Sequence, residues 1–298
     1  MPEWKGKSRA TPLGYRIFVW VLRNFGTRIA YQLLHAVTWY YCFFSPATTR
    51  NLYYYFHRRL GYGKAKTWRS IYRNYYCFGQ TLIDKIAVQA GLETPFSFDF
   101  EGEEGLRQMV REGRGGLLIS GHVGNWEVAG HLLKRLETPI NVVMYDGEDE
   151  QIKAYLESVT GGRNMKLILI KEDLSHIFAI HAALEANELV CMHADRYVEG
   201  NKTNSAVFLG KRADFPSGPF ILAARFNVPV SYVFAFKETA SHYHLYASDP
   251  VNYAAEEKKG REEKILNDFV AEMTKRTGQY PLQWFNYFDF WKDHAGKH

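Results

Sequence analysis

GLLISGHVGNWEVAGHLL, residues 116–133, is the stretch that decides how the chain folds. Its first five residues are a short apolar run closed by serine, which reads as a buried strand. Gly121 and Gly124 then bracket a turn, and from Asn125 to Leu136 the pattern predicts an amphipathic helix. A strand, a glycine-containing turn and a helix place His122 at the carboxyl end of the strand. In open α/β sheets ligands bind at that edge, because helix N-termini and loop amides converge there.

Glu127 follows His122 by five residues, just inside the predicted helix, where its carboxylate can fold back to the imidazole. A carboxylate on one ring nitrogen fixes the tautomer and raises the basicity of the other, which can then take a proton from a hydroxyl attacking a carbonyl. This is the base-and-orienter half of a triad. No serine or cysteine stands in an elbow-type motif, so the attacking hydroxyl is expected to belong to the substrate. Spacing alone is weak evidence: His244 and Asp249 have the same separation, but His244 lies inside an alternating strand-like run and reads as structural or surface.

Outward from this segment, beyond Pro95, short β-like runs alternate with helical ones. FSFDF, GLLIS, INVVMY, MKLILI, ELVCMH and PVSYVFAF are the strands, with helices at Glu103–Glu112, Gln151–Val159, Leu174–Ala186 and Pro219–Phe226 between them. The layout predicts an α/β fold with a mostly parallel central sheet flanked by helices. HYHLYA is expected beside PVSYVFAF as an antiparallel strand. A charged helix over Glu256–Thr277 and an aromatic tail, YPLQWFNYFDFW, follow.

Residues 1–92 read differently, as a helical, aromatic-rich, membrane-associating region before an α/β domain at 93–298. Trp20, Tyr31, Trp39, Tyr40, Tyr41, Phe43, Phe44 and the run Tyr53–Phe56 resemble an interfacial belt, since such rings combine an apolar body with a polar edge. Packing of these rings on the rest of the protein is the alternative. Arg23, Arg28 and His35 divide the apolar stretch, and Ile29–Phe44 supplies 16 residues, short of the roughly 20 a spanning helix needs. A helix lying in the interface, or a soluble helix hairpin, fits better. Ser45 and Pro46 predict a capped helix start, ended by Gly61 and Gly63; a second helix runs from Lys64 to Ala90.

With a net charge of +5, the chain suits anionic partners: headgroups, phosphorylated sugars or an acidic carrier protein. No RNA-binding signature, zinc-spaced cysteine pair or block of like charge supports nucleic acid. Cys42, Cys77 and Cys191 are widely spaced and odd in number, which argues against a disulfide framework and for a reducing compartment. The start MPEWKGKSRATPLGY lacks a signal-peptide pattern.

HVGNWE carries a histidine, four residues, then an acid, and here the sequence resembles the bacterial lipid A late acyltransferases of the lysophospholipid acyltransferase superfamily. The likeness continues through GGRNMKLI, LSHIFAIHAALEANELVCMHADRYVEG, VFLGKRADFPSGPFILAARFNVPV and QWFNYFDFW, over roughly residues 15–292. It implies an acyl-carrier-protein or coenzyme A thioester as donor and a lipid hydroxyl, foremost of a lipid A precursor, as acceptor. It also implies no metal in the chemistry, no permanently bound cofactor, and action at the cytoplasmic face of the inner membrane. By the same resemblance His122 is the general base and Glu127 its orienting carboxylate, while Asn125, Arg163, Asp195, Arg196, Gly210 and Gly218 bind or shape the substrates. Arg163 would bind phosphate or stabilise developing charge, and Asp195 and Arg196 would shape the acceptor site. Gly210 and Gly218 would allow close approach or positive φ. Lys134, Arg135, Lys211 and Arg212 are candidates for docking the acidic carrier.

Two features depart from the family pattern. Arginines interrupt the stretch where members have a cleaner transmembrane helix, and NYFDFW is less basic than its counterpart in the lipid A enzymes. Relatives that acylate glycerophospholipids, aminolipids or pigment-type polyenes therefore remain alternatives, as does a membrane scaffold with a relic site.

Overall fold

A computed structural model of the chain describes residues 12–89, 92, 94–125, 128, 136, 138–145, 166–171, 173–198 and 200–291. The expected helix at Gln151–Val159, most of that at Asn125–Leu136, and Glu127, Lys134, Arg135 and Arg163 lie outside them.

Helix α1 (Pro12–Phe44) bends at Gly26, whose φ of 73° and ψ of −178° leave the helical ladder. Its inner face carries Val19, Leu22, Ala30 and Leu34, which pack on Ile83, Ile86 and Ala87 of α3 (Lys64–Gln89). Its outer face leaves Trp20, Leu33, Trp39, Tyr40, Phe43 and Phe44 exposed, the last two at 71% and 69%. No helix among the described residues is long and apolar enough to cross a membrane. Between α1 and α3 lies α2 (Pro46–Tyr53), which begins with the expected proline and continues as a π-helical turn through Arg59. Ser45 occupies the cap position, but its side chain makes no capping hydrogen bond, a departure from the sequence expectation.

The α/β part follows the predicted alternation: β1 (Ser97–Glu101), α4 (Glu103–Arg111), β2 (Gly116–Ser120), β3 (Ile140–Tyr145), β4 (Lys166–Ile170), α5 (Ser175–Glu185) and β5 (Leu189–His193). There follow β6 (Thr203–Phe208), β7 (Lys211–Pro216), α6 (Ser217–Phe226), β8 (Val230–Lys237), β9 (His242–Ala247) and α7 (Lys258–Gln279). Seven strands form one sheet in the order β1-β9-β8-β2-β5-β3-β4. From β8 to β4 all neighbours are parallel; β9 runs antiparallel to β8, and β1 is parallel to β9. The centre is thus a buried parallel sheet, which explains why every residue of β2 is buried, whereas β9 alternates between buried and half-buried positions.

The hairpin β6–β7 was not anticipated from the sequence. Its two-residue loop has positive φ at Leu209 (49°) and Gly210 (76°), the pairing a type I′ turn requires. Leucine is uncommon in that position, which masked the turn.

One apolar cluster ties the N-terminal helices to the sheet: Leu52, Tyr55, Phe56, Ile71 and Tyr75 share it with Leu117, Ile119, Phe208, Phe215, Trp284 and Trp291. The aromatic tail therefore packs inside the molecule, with Trp284 wholly buried. A second tie is polar. Asp84 of α3 is buried and takes an ion pair from Lys237 at 2.5 Å, with hydrogen bonds from Tyr31 and Tyr243. Burial opposes both charges, pushing the Asp84 carboxyl up and the Lys237 ammonium down, and each is held by the other and by the surrounding hydroxyls.

Candidate active site

The site is built where two neighbouring parallel strands end. β2 and β5 pair in register with Ser120 opposite His193, and the ladder continues with the Ala194 N–H donating to the Ser120 carbonyl at 2.8 Å. Two residues beyond Ser120 is His122; two beyond His193 is Asp195. The register itself brings them together. The His122 main-chain N–H donates to Asp195 Oδ2 at 2.9 Å, and its Nδ1 lies 2.7 Å from Asp195 Oδ1. Gly121 makes room, because a Cβ there would lie 3.2 Å from the Asp195 carboxyl carbon.

The loop carrying His122 is clamped on both sides. Gly124 N–H donates to the Gln283 carbonyl at 2.7 Å, Phe285 N–H to the His122 carbonyl at 3.0 Å, and Asn125 N–H to the Ala235 carbonyl at 2.7 Å. Gly124 has a φ of 76°, and a Cβ there would stand 1.9 Å from the Ala235 oxygen, so only glycine fits. Gln283 is held in turn by paired hydrogen bonds to the Lys237 backbone, at 2.9 and 2.8 Å.

Asp195 is 1% exposed, whereas the His122 side chain is 26% exposed, so the pair opens outward only through the imidazole. Burial raises the Asp195 pKa, but His122 and Arg196 outweigh it and hold the carboxyl well below its ordinary value. Burial and Arg196 pull His122 below the ordinary imidazole value, with Asp195 opposing them. A neutral imidazole donating Nδ1–H to an ionised carboxylate follows, leaving Nε2 as the basic atom. Such a pair can accept a proton from a hydroxyl and return it to a leaving group.

The sequence expectations meet this geometry unevenly. His122 and Asp195 come together, with Asp195 at Nδ1 of the ring; Glu127, the carboxylate of the motif reading, lies outside the described residues. Asn125 is buried, and its amide is spent on the protein: it donates to the Thr81 carbonyl at 3.1 Å and to Tyr243 Oη at 3.3 Å. Arg196 donates to the Phe285 carbonyl and lies 5.9 Å from the Phe288 ring, inside the tail. Gly210 is the hairpin turn. Gly218, in the first turn of α6, has neither positive φ nor, among the described residues, an atom within 4 Å of where a Cβ would stand. His244 sits mid-strand with Nε2 3.3 Å from Glu101.

His193 was missed. Its one signal is position, as the last residue of ELVCMH, two before Asp195. Its ring meets that of His122 edge to face at 88°, with centroids 4.3 Å apart. His122, His193 and Asp195 gather three donor atoms within 4.8 Å. Their lone pairs do not converge on one point, however: Nδ1 of His122 and Oδ1 of Asp195 face each other in hydrogen-bond contact, and His193 meets a ring face.

Residues 7–293 match the family described as bacterial lipid A biosynthesis acyltransferase. A search of curated proteins finds no match. Among solved structures, the 1-acyl-sn-glycerophosphate (LPA) acyltransferase PlsC from Thermotoga maritima aligns at 13% identity and a TM-score of 0.36. The alignment covers 83% of this chain and 97% of that one.

Proposed function

The chain belongs to the bacterial lipid A biosynthesis acyltransferase family and is an O-acyltransferase acting on a lipid acceptor, and on that premise we propose direct acyl transfer from a thioester with His122 as general base. The observation that carries the reading is the His122–Asp195 pair at the carboxyl ends of β2 and β5, closed on the carboxylate side and open on the imidazole side. The acceptor hydroxyl approaches Nε2 and attacks the thioester carbonyl as its proton passes to the ring. The tetrahedral intermediate then expels the thiolate, which takes that proton back from His122, leaving ester and thiol. Asp195 holds the tautomer and balances the imidazolium charge. Glu127 remains in the proposal as the motif's carboxylate, supporting the same ring when it is charged.

Acyl carrier protein, or coenzyme A, is the proposed donor, with Lys211 and Arg212 beside the β6–β7 turn as carrier contacts together with Lys134 and Arg135. A lipid A precursor hydroxyl is the proposed acceptor. The exposed aromatic face of α1 supports a monotopic seat on a membrane surface, with rings such as Trp39 and Phe43 at headgroup level, and the proposed surface is the cytoplasmic face of the inner membrane.

The test is transfer of a labelled acyl chain from acyl carrier protein to a mixture of extracted lipids by the purified protein, with the acylated product identified by mass. His122→Ala is expected to leave the fold intact and less than a few per cent of the turnover. Wild-type protein that transfers nothing from either thioester, or a His122→Ala protein that keeps its rate, would overturn the proposal. A product built on a glycerophospholipid, aminolipid or polyene would retain the chemistry and replace the acceptor.

A further inference from the structure

The relation of His193 to His122 is not that of an ordinary in-plane hydrogen bond. Nδ1 of His193 lies 3.3 Å from Nδ1 and 3.2 Å from Nε2 of His122, nearly equidistant from the two ring nitrogens. In the plane of the ring, a point at those distances would fall on the Cε1–H, inside van der Waals contact. The perpendicular ring planes and the 4.3 Å centroid separation place it instead over the face. An N–H aimed at a ring face is a weak attraction while that ring is neutral. It turns repulsive when the ring becomes a cation.

We propose that His193 is a positioning residue for the base, its Nδ1–H resting on the face of His122 so that the ring stays upright on Asp195 and protonation by water is disfavoured. The inference rests on the general-base reading above and adds to it. His193 does not pass protons along, because its nitrogen does not lie in the plane of either His122 lone pair. Its effect is to make His122 a readier proton donor to the leaving thiolate, and to keep it unprotonated in the resting enzyme. Burial, reinforced by His122, pushes His193 well below the ordinary histidine value, so it stays neutral while His122 titrates.

The charged and titratable groups around His122 are few among the described residues. Asp195 and Arg196 approach from the segment after β5, and His193 from the end of β5 itself. Tyr287 of the C-terminal segment reaches the set through Arg196. Asp195 favours the imidazolium, Arg196 disfavours it, and His193 adds to Arg196.

The experiment compares wild type with H193L, which removes the N–H, and H193N, whose side-chain amide can place an N–H close to where Nδ1 stood. The pH profile of kcat/KM is measured for each, and the His122 pKa is read separately by ¹⁵N-histidine NMR on the folded protein. H193L is expected to move the acid limb and the NMR titration of His122 upward by about half a pH unit, the equivalent of a weak N–H contact. H193N should stay near wild type. A folded H193L protein whose His122 titrates as in wild type, or an H193N protein that shifts as far as H193L, would overturn the proposal. The NMR titration needs no turnover, so a failure of the acyltransfer assay would count against the general-base reading and leave this comparison decisive. Thermal melts of both variants separate a shifted titration from a lost fold.

Discussion

Asp195 grips His122 through both carboxylate oxygens, one on the main-chain N–H at 2.9 Å and one on the ring Nδ1 at 2.7 Å. One side chain thus fixes the loop and the ring together. The carboxylate is buried while the imidazole reaches solvent, which is the arrangement that the proposed general-base role requires.

Replacing that carboxylate with its amide keeps the shape and removes the charge. Asp195→Asn is expected to lower kcat by about 10²–10⁴-fold, because the ring loses its fixed tautomer and the imidazolium loses its counter-charge. Steady-state kinetics beside a circular dichroism spectrum would check it; an Asp195→Asn enzyme within threefold of wild type would remove Asp195 from the mechanism.

Two histidines held below their ordinary value link folding to pH. Between the lowered folded-state pKa and the unfolded value of about 6.5, the unfolded chain binds protons that the folded one does not. Their contribution is therefore complete above about pH 6.5 and is lost as pH falls through the folded-state values. Melting temperature should drop between about pH 7.5 and pH 5, and drop less in H193N; equal slopes for the two proteins would contradict the assignment.

The Asp84–Lys237 pair bridges α3 and the end of β8 with almost no solvent access. Asp84→Ala leaves a buried ammonium beside Tyr31 and Tyr243 and should cost about 3–5 kcal/mol in denaturant unfolding. The double variant Asp84→Leu with Lys237→Met removes both charges and should recover most of that loss. A double variant no more stable than Asp84→Ala would show that the hydroxyl network, rather than the charge balance, sets the cost.

The outer face of α1 carries rings that are half or more exposed. Trp39→Ser with Phe43→Ser should weaken binding to anionic phospholipid vesicles about tenfold or more in a flotation assay, while leaving thermal stability near wild type, since both side chains are exposed. Unchanged flotation would move the membrane contact elsewhere.

The sequence by itself determined the alternation of strands and helices and the place of His122 at a strand's carboxyl end. Apolar periodicity and glycine turns are local signals, and β2, β5 and β8 fell where GLLIS, ELVCMH and PVSYVFAF predicted. The antiparallel placement of HYHLYA followed from the same pattern. The β6–β7 hairpin escaped because Leu209 occupies a left-handed turn position that the sequence gives no reason to expect.

Tertiary structure alone decided that the Asp195 carboxylate meets the imidazole. Strand register joins His122 to Asp195 across 73 residues, a pairing that no local spacing signals, while Glu127, the acid that spacing does signal, lies outside the described residues. It likewise decided that His193 faces the His122 ring, that the aromatic tail packs inside, and that Gly124 is needed against the Ala235 carbonyl. Local sequence encodes how a segment is shaped, but contacts between distant segments depend on how strands order and slide against one another, and that is settled only when the whole core packs.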